Sequence, residues 1–160
     1  MKVLDTQSHL DFKIVRNATI LILTFSIPLI YVHEFGHAIV CAADGFSYDL
    51  HIGLVSGYLN CHGTPTDLTL FHFSGGILAM SVSLVPFSNW KWIRKNKAVM
   101  IACLSFAIGH GLNAIIETVF YNWYVEQTSL ASIPINIVSF GSFIGLLVLF
   151  GRSGNTGGHR

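Results

Sequence analysis

The chain has 160 residues, 52% of them hydrophobic and only 11% charged, with a formal net charge of +1. A soluble domain carries roughly 25% charged residues, so lipid rather than water is the expected solvent. The length allows one domain, and the near-neutral charge gives no reason to expect a nucleic-acid partner.

Residues 1–17 are polar and are expected to form a cytoplasmic N-terminal segment. The apolar stretch behind them, 18–43, is too long for a signal-peptide core and has no small-residue cleavage site beyond it, so it is expected to persist as a first membrane-spanning helix. Within it lies His33-Glu34-Phe35-Gly36-His37. Positions i and i+4 project from one face of a helix, so His33 and His37 can offer imidazole nitrogens to one zinc ion while Glu34 reaches a water beside it. Two histidines and a carboxylate are costly to bury in hydrocarbon, and ionisable groups inside a membrane mark a functional site.

Between the first and second apolar stretches, residues 45–63 change character. Leu50, Ile52 and Leu54 alternate with His51 and Gly53, and Ser56-Gly57 suits a tight turn before Tyr58-Leu59-Asn60, which predicts a β-hairpin at the membrane surface. The outer edge of such a hairpin can accept an extended peptide as an added strand. Cys41, Cys61 and Cys103 lie far apart without CxxC spacing, so neither a zinc ribbon nor a disulfide framework is expected, and they read as small apolar residues.

A bilayer core of about 30 Å needs about 20 helical residues. The stretch 68–87 comes near that length, although His72, Gly75 and Gly76 interrupt it and allow it to be read as a re-entrant or broken helix. The residues seen so far carry a family resemblance. HEFGHA in the first span, the glycine-containing β-type loop after it, and Ser74-Gly75-Gly76-Ile77-Leu78-Ala79 in the next span resemble the site-2 protease family of intramembrane zinc metalloproteases over residues 25–87. The resemblance implies a small, divergent zinc endopeptidase acting on membrane-embedded or membrane-proximal protein and peptide substrates, with His33 and His37 as ligands and Glu34 as base. The family's usual third ligand, an Asp in an Asn-Pro-Asp-Gly or Leu-Asp-Gly stretch on a later helix, has no counterpart in this chain.

The third span, 98–121, offers a replacement, because His110, Asn113 and Glu117 recur at spacings of three and four and share one helical face. Depth ranks them. At about 1.5 Å per residue from the cytoplasmic boundary, His37 and Glu117 both lie about 28 Å in, Asn113 matches His33, and His110 is shallower. Glu117 is therefore the preferred third ligand and His110 its rival, the one that does not bind metal being left to orient a ligand or the water. Asn113 alone in a spanning helix reads first as an interhelical hydrogen-bonding residue.

The fourth span, 133–150, carries a GxxxG pair, Gly141 and Gly145, suited to close helix contact, and a polar, glycine-rich tail at 151–160 reads as disordered. Four spans place the N-terminus, the loop 88–97 and the C-terminus on one side. All nine Lys and Arg fall there, whereas Asp44, Asp49, Asp67 and Glu126 occupy the other side without a basic residue, so both termini are expected to be cytoplasmic. Trp90 and Trp92, and at the other end Tyr121, Trp123 and Tyr124, suit interfacial aromatic belts. The fold class expected is an all-α membrane protein of about four transmembrane helices with a small β-hairpin between the first and second, forming a single integral domain over residues 18–150.

The chemistry expected of this set is peptide hydrolysis by zinc-activated water, Glu34 taking the water's proton and delivering it to the leaving amine. Ser26, Ser74, Ser81, Ser83 and Ser105 are candidates to line a water route, and His51, His62 and His72 are given no role. Two other readings fit the residues less fully. A metal-binding membrane protein without hydrolysis leaves Glu34 without a purpose, and a haem-binding electron carrier using His110 with His33 or His37 leaves Glu34 and Glu117 unexplained.

Overall fold

The computed structural model describes residues 10–54, 56–121 and 128–151. Lys2, Trp123, Tyr124, Glu126, Arg152, Arg160 and most of the tail expected to be disordered lie outside the described residues.

The chain runs through α1 (Phe12–Ala43), a hairpin of β1 (Tyr48–Ile52) and β2 (Gly57–Cys61), α2 (Leu68–Leu84), a 3-10 turn (Val85–Ser88), α3 (Trp90–Lys95), α4 (Lys97–Val119) and α5 (Thr128–Phe150). Four of these helical stretches, Phe12–Ala43, Leu68–Ser88, Lys97–Val119 and Ile133–Phe150, are long and apolar enough to cross a membrane, as expected for a membrane protein. Their outward faces expose side chains such as Leu23, Ile137 and Phe140.

Helix boundaries follow cap chemistry more closely than the edge of the apolar run. Asp11 accepts a hydrogen bond from the Lys13 N–H, so α1 starts six residues before the apolar stretch, inside the segment expected to precede it. At its other end the Gly45 N–H donates to the Ala42 carbonyl and the Phe46 N–H to that of Cys41, a Schellman closure in which Gly45 takes φ +84. Asp67 caps α2 through the Leu70 N–H. α2 is one unbroken helix through His72, Gly75 and Gly76, so the broken-helix reading does not hold. The glycines are accommodated because neighbouring helices occupy the space their side chains lack.

Between apolar helices in lipid there is little hydrophobic driving force, and close van der Waals packing at small residues holds the bundle. A Cβ on Gly36 of α1 would lie 2.5 Å from the Ser74 carbonyl oxygen, and one on Gly76 would lie 2.5 Å from the His110 carbonyl oxygen. α2 is thus seated against α1 by one face and against α4 by another, and α5 packs on α4. At the opposite end of the bundle Ala18, Ile101 and Leu147 form a core cluster, and the Asp11 N–H donates to the Gly151 carbonyl at 2.8 Å. The start of α1, the start of α4 and the end of α5 therefore lie together, beside α3 with its Lys91, Arg94 and Lys95. The GxxxG pair behaves differently from the expectation: among the described residues, a Cβ on Gly141 or Gly145 would meet nothing within 4 Å, so neither packs against another helix there.

The hairpin lies along the second half of α1. Its strands pair antiparallel from Tyr48 with Cys61 to Ile52 with Gly57, and the Gly53 N–H donates to the Ser56 carbonyl. Ser56-Gly57 therefore ends the turn and starts β2 rather than forming the turn itself. The cysteine expectation fails too. Cys41 and Cys61 form a disulfide across a Cα separation of 6.0 Å, and Cys103 on α4 is unbonded. Sequence spacing concealed the pair because a strand folding back along a helix brings together positions that no local motif marks.

Candidate metal centre

His33 and His37, one turn apart on α1, meet Glu117 from the last turn of α4. All three are buried, exposing 4%, 7% and 6% of their surface. The two histidine Nε2 atoms stand 3.2 Å apart, Glu117 Oε1 is 3.4 Å from His33 Nε2, and Glu117 Oε2 is 3.5 Å from His37 Nε2. A three-residue group of this kind can hold a metal ion.

The surrounding contacts fix which atoms converge. The His37 Nδ1 lies 2.6 Å from the Phe71 carbonyl oxygen, and since a carbonyl only accepts, Nδ1 carries the proton and Nε2 of the neutral ring presents its lone pair to the cluster. Asn113 donates through Nδ2 to Glu117 Oε1 at 2.8 Å and approaches His33 Nε2 at 3.4 Å. Glu117 Oε2 and His33 Nδ1 are buried with no hydrogen-bond partner among the described residues. Acceptor atoms thus face one another at the centre with too few donors between them, an arrangement a cation relieves. Gly75 supplies the room, since a Cβ there would strike the Nε2 of His37.

Glu34 points into a cavity of about 530 Å³ between α1, α4 and α5, which His33 and Glu117 also line. Gly57 closes the hairpin side of that cavity: its missing Cβ would sit 2.8 Å from Glu34 Cγ and 2.9 Å from Ile30 Cγ2. The backbone amide of Leu59, further along β2, faces the Glu34 carboxylate. Much of the remaining wall is apolar, from Ile22, Phe106, Ile135 and Phe143.

Of the residues singled out in the sequence, His33, Glu34, His37, Asn113 and Glu117 come together. His110 does not join the metal-holding group; its ring lies 5.6 Å from that of His33, on the cavity wall. Ser26 and Ser105 line the cavity while bonding to the carbonyls of Ile22 and Ile101, whereas Ser74 and Ser83 bond within α2 away from it. His62 pairs with Asp49 at 2.9 Å, His51 stacks on Tyr58, and the His72 ring lies tilted against that of Tyr121. The Phe71 carbonyl had no sequence signal, because any residue type supplies the same acceptor. Gly57 had a partial one, as a turn glycine next to the HExxH span. Comparison with protein-family models, with curated proteins and with solved structures finds no match for this chain.

Proposed function

We propose that the chain is an intramembrane zinc metalloprotease that hydrolyses peptide bonds of membrane-embedded or membrane-proximal substrates. One observation carries the reading: the Nε2 atoms of His33 and His37 stand 3.2 Å apart and lie 3.4 and 3.5 Å from the two carboxylate oxygens of Glu117, with a second acidic group, Glu34, lining the same cavity as His33 and Glu117. Ligand atoms about 2.0–2.1 Å from a tetrahedral zinc stand about 3.3 Å from one another, so the spacing suits that ion, and two histidines with one glutamate form a donor set used by catalytic zinc. A zinc held there supplies Lewis acidity, making water a stronger acid and the scissile carbonyl a better electrophile.

The chain's own groups perform the proton work. Glu34 removes a proton from the attacking water as its oxygen bonds to the carbonyl carbon, then passes that proton to the amide nitrogen as the C–N bond breaks. The missing side chain of Gly57 lets β2 lie against Glu34, and the edge of that strand is where an unwound substrate would add. A helical substrate hides its carbonyls in i to i+4 bonds, so this local extension is a requirement of the chemistry. The disulfide at the hairpin end and the basic residues at the other favour an orientation with the hairpin on the oxidising side and both termini in the cytoplasm.

Protein purified in detergent should carry about one zinc per chain and cleave a transmembrane peptide. Glu34→Gln should retain the metal and abolish cleavage, and His33→Ala with His37→Ala should lose the metal. Zinc without cleavage in the wild type would favour the metal-binding alternative, and a Soret band in the visible spectrum would favour haem.

A further inference from the structure

His110 is the unassigned group of the cavity. It projects from α4 one turn before Asn113, its ring packed between that of His33 at 5.6 Å and that of Phe106 at 6.5 Å. Neither ring nitrogen makes a hydrogen bond among the described residues. Other polar side chains near the ligands are committed: Asn113 to Glu117, Ser26 and Ser105 to carbonyls of their own helices. A neutral imidazole always carries one N–H donor, and His110, only partly buried and outside the set of buried polar atoms left without a partner, opens that donor to the cavity. A donor kept without a protein partner beside a ligand histidine is one whose partner arrives with the substrate.

We propose that the His110 imidazole donates a hydrogen bond to the scissile carbonyl oxygen of the substrate as negative charge builds on it, a role that rests on the hydrolase reading above. The carbonyl carbon must lie between Glu34, which directs the water, and the ligand cluster. Both line the same cavity as His110, so an oxygen displaced from that carbon meets the imidazole on the α4 side. No proton is transferred by His110 in this step; the N–H bond is kept and only its partner strengthens. A donor already in place when charge develops stabilises the transition state more than the ground state, which raises kcat more than it lowers KM. The sequence arrangement agrees: His110, Asn113 and Glu117 share one face, with Glu117 at the ligands, Asn113 bridging to His33, and His110 one turn further along the cavity.

The test uses the full-length protein loaded with cobalt in place of zinc, so that ligand binding is read from the visible spectrum without turnover. Two probes of one peptide sequence are compared: a phosphinic peptide, whose tetrahedral anion imitates the charged carbonyl, and a thiol peptide, which engages metal through sulfur and offers no oxyanion. His110→Leu should weaken the phosphinic peptide about 100-fold while changing the thiol peptide less than about threefold, and kcat should fall by a similar factor of about 100 with KM nearly unchanged. His110→Gln, which keeps an N–H donor, should recover part of both losses. If His110→Leu does not fold, His110→Phe, which keeps a ring against Phe106, carries the same comparison. An unchanged phosphinic affinity, an equal loss for both probes, or loss of bound cobalt overturns the proposal. If the wild type cleaves no peptide but its phosphinic affinity still depends on His110, the protease reading falls and the donor role stands.

Discussion

His37 Nδ1 bonds to the Phe71 carbonyl at 2.6 Å, and the same ring's Nε2 faces His33 Nε2 at 3.2 Å. The first contact dictates the second: with its proton held on α2, the imidazole can only turn a lone pair toward its neighbour. Metal removal should therefore destabilise the fold. A chelator should lower the thermal midpoint in detergent and zinc should restore it, by an amount equivalent to about 3–4 kcal/mol at zinc concentrations 100 to 1,000 times the dissociation constant. Glu117→Gln should bind zinc poorly yet be more stable than the metal-free wild type, because an amide N–H replaces one of the facing acceptors. An identical midpoint with and without zinc would contradict the convergence of acceptors described above.

Asn113 should matter through Glu117 and His33 rather than through the substrate. Asn113→Ala removes the donor that holds Glu117 Oε1, and such supporting hydrogen bonds are worth about 10–100-fold in metal affinity. Competition with a fluorescent chelator measures this directly. A wild-type zinc affinity in Asn113→Ala would show that packing alone orients the carboxylate.

The sequence displayed the candidate ligands better than their setting. The i, i+4 pair of His33 and His37 is readable because helix periodicity is local, and depth counted from a common boundary sets Glu117 level with His37, with which it forms a group that could hold a metal ion. What stayed hidden depends on contacts between distant segments. The Cys41–Cys61 bond arises from β2 lying back along α1, a placement that no spacing rule encodes. Gly141 and Gly145 carry the small-xxx-small pattern of a packing face, yet among the described residues no helix packs there, since a one-dimensional motif does not say which side of a helix its neighbours occupy. The start of α1 escaped for a different reason: hydropathy marks where lipid begins, whereas the helix begins at the Asp11 cap.

Glycine substitutions should separate the two kinds of position. Gly75→Ala drives a methyl group into His37 and should abolish zinc binding, and Gly76→Ala, which meets the His110 carbonyl and Ala114, should destabilise the bundle by about 1–3 kcal/mol. Gly141→Ala and Gly145→Ala meet open space and should leave both properties unchanged. Comparing metal content with thermal midpoint across the four variants checks the pattern, and equal effects at Gly75 and Gly141 would refute it.

The disulfide should be visible by thiol counting. Denatured without reductant, the protein should show one reactive thiol, that of Cys103, and reduction should expose two more. With the bonded cysteines at a sequence separation of 20, reduction or Cys61→Ser should cost about 3 kcal/mol, concentrated in faster amide exchange along β2. Three reactive thiols before reduction would rule the bond out.

The glycine pair on α2 has a consequence for ion selection. Gly75 abuts the helix bearing His33 and His37, while Gly76 abuts the helix bearing Glu117, so the gap between the histidines and the carboxylate is set by the bare thickness of one intervening backbone. A methyl group at Gly76 would press on α4 alone and move the helix that bears Glu117 away from the histidines, so a cation that demands longer bonds could be admitted without changing any ligand. Preference for ion size is then encoded in a helix that contributes no ligating side chain, and it can drift or be tuned independently of the HExxH motif.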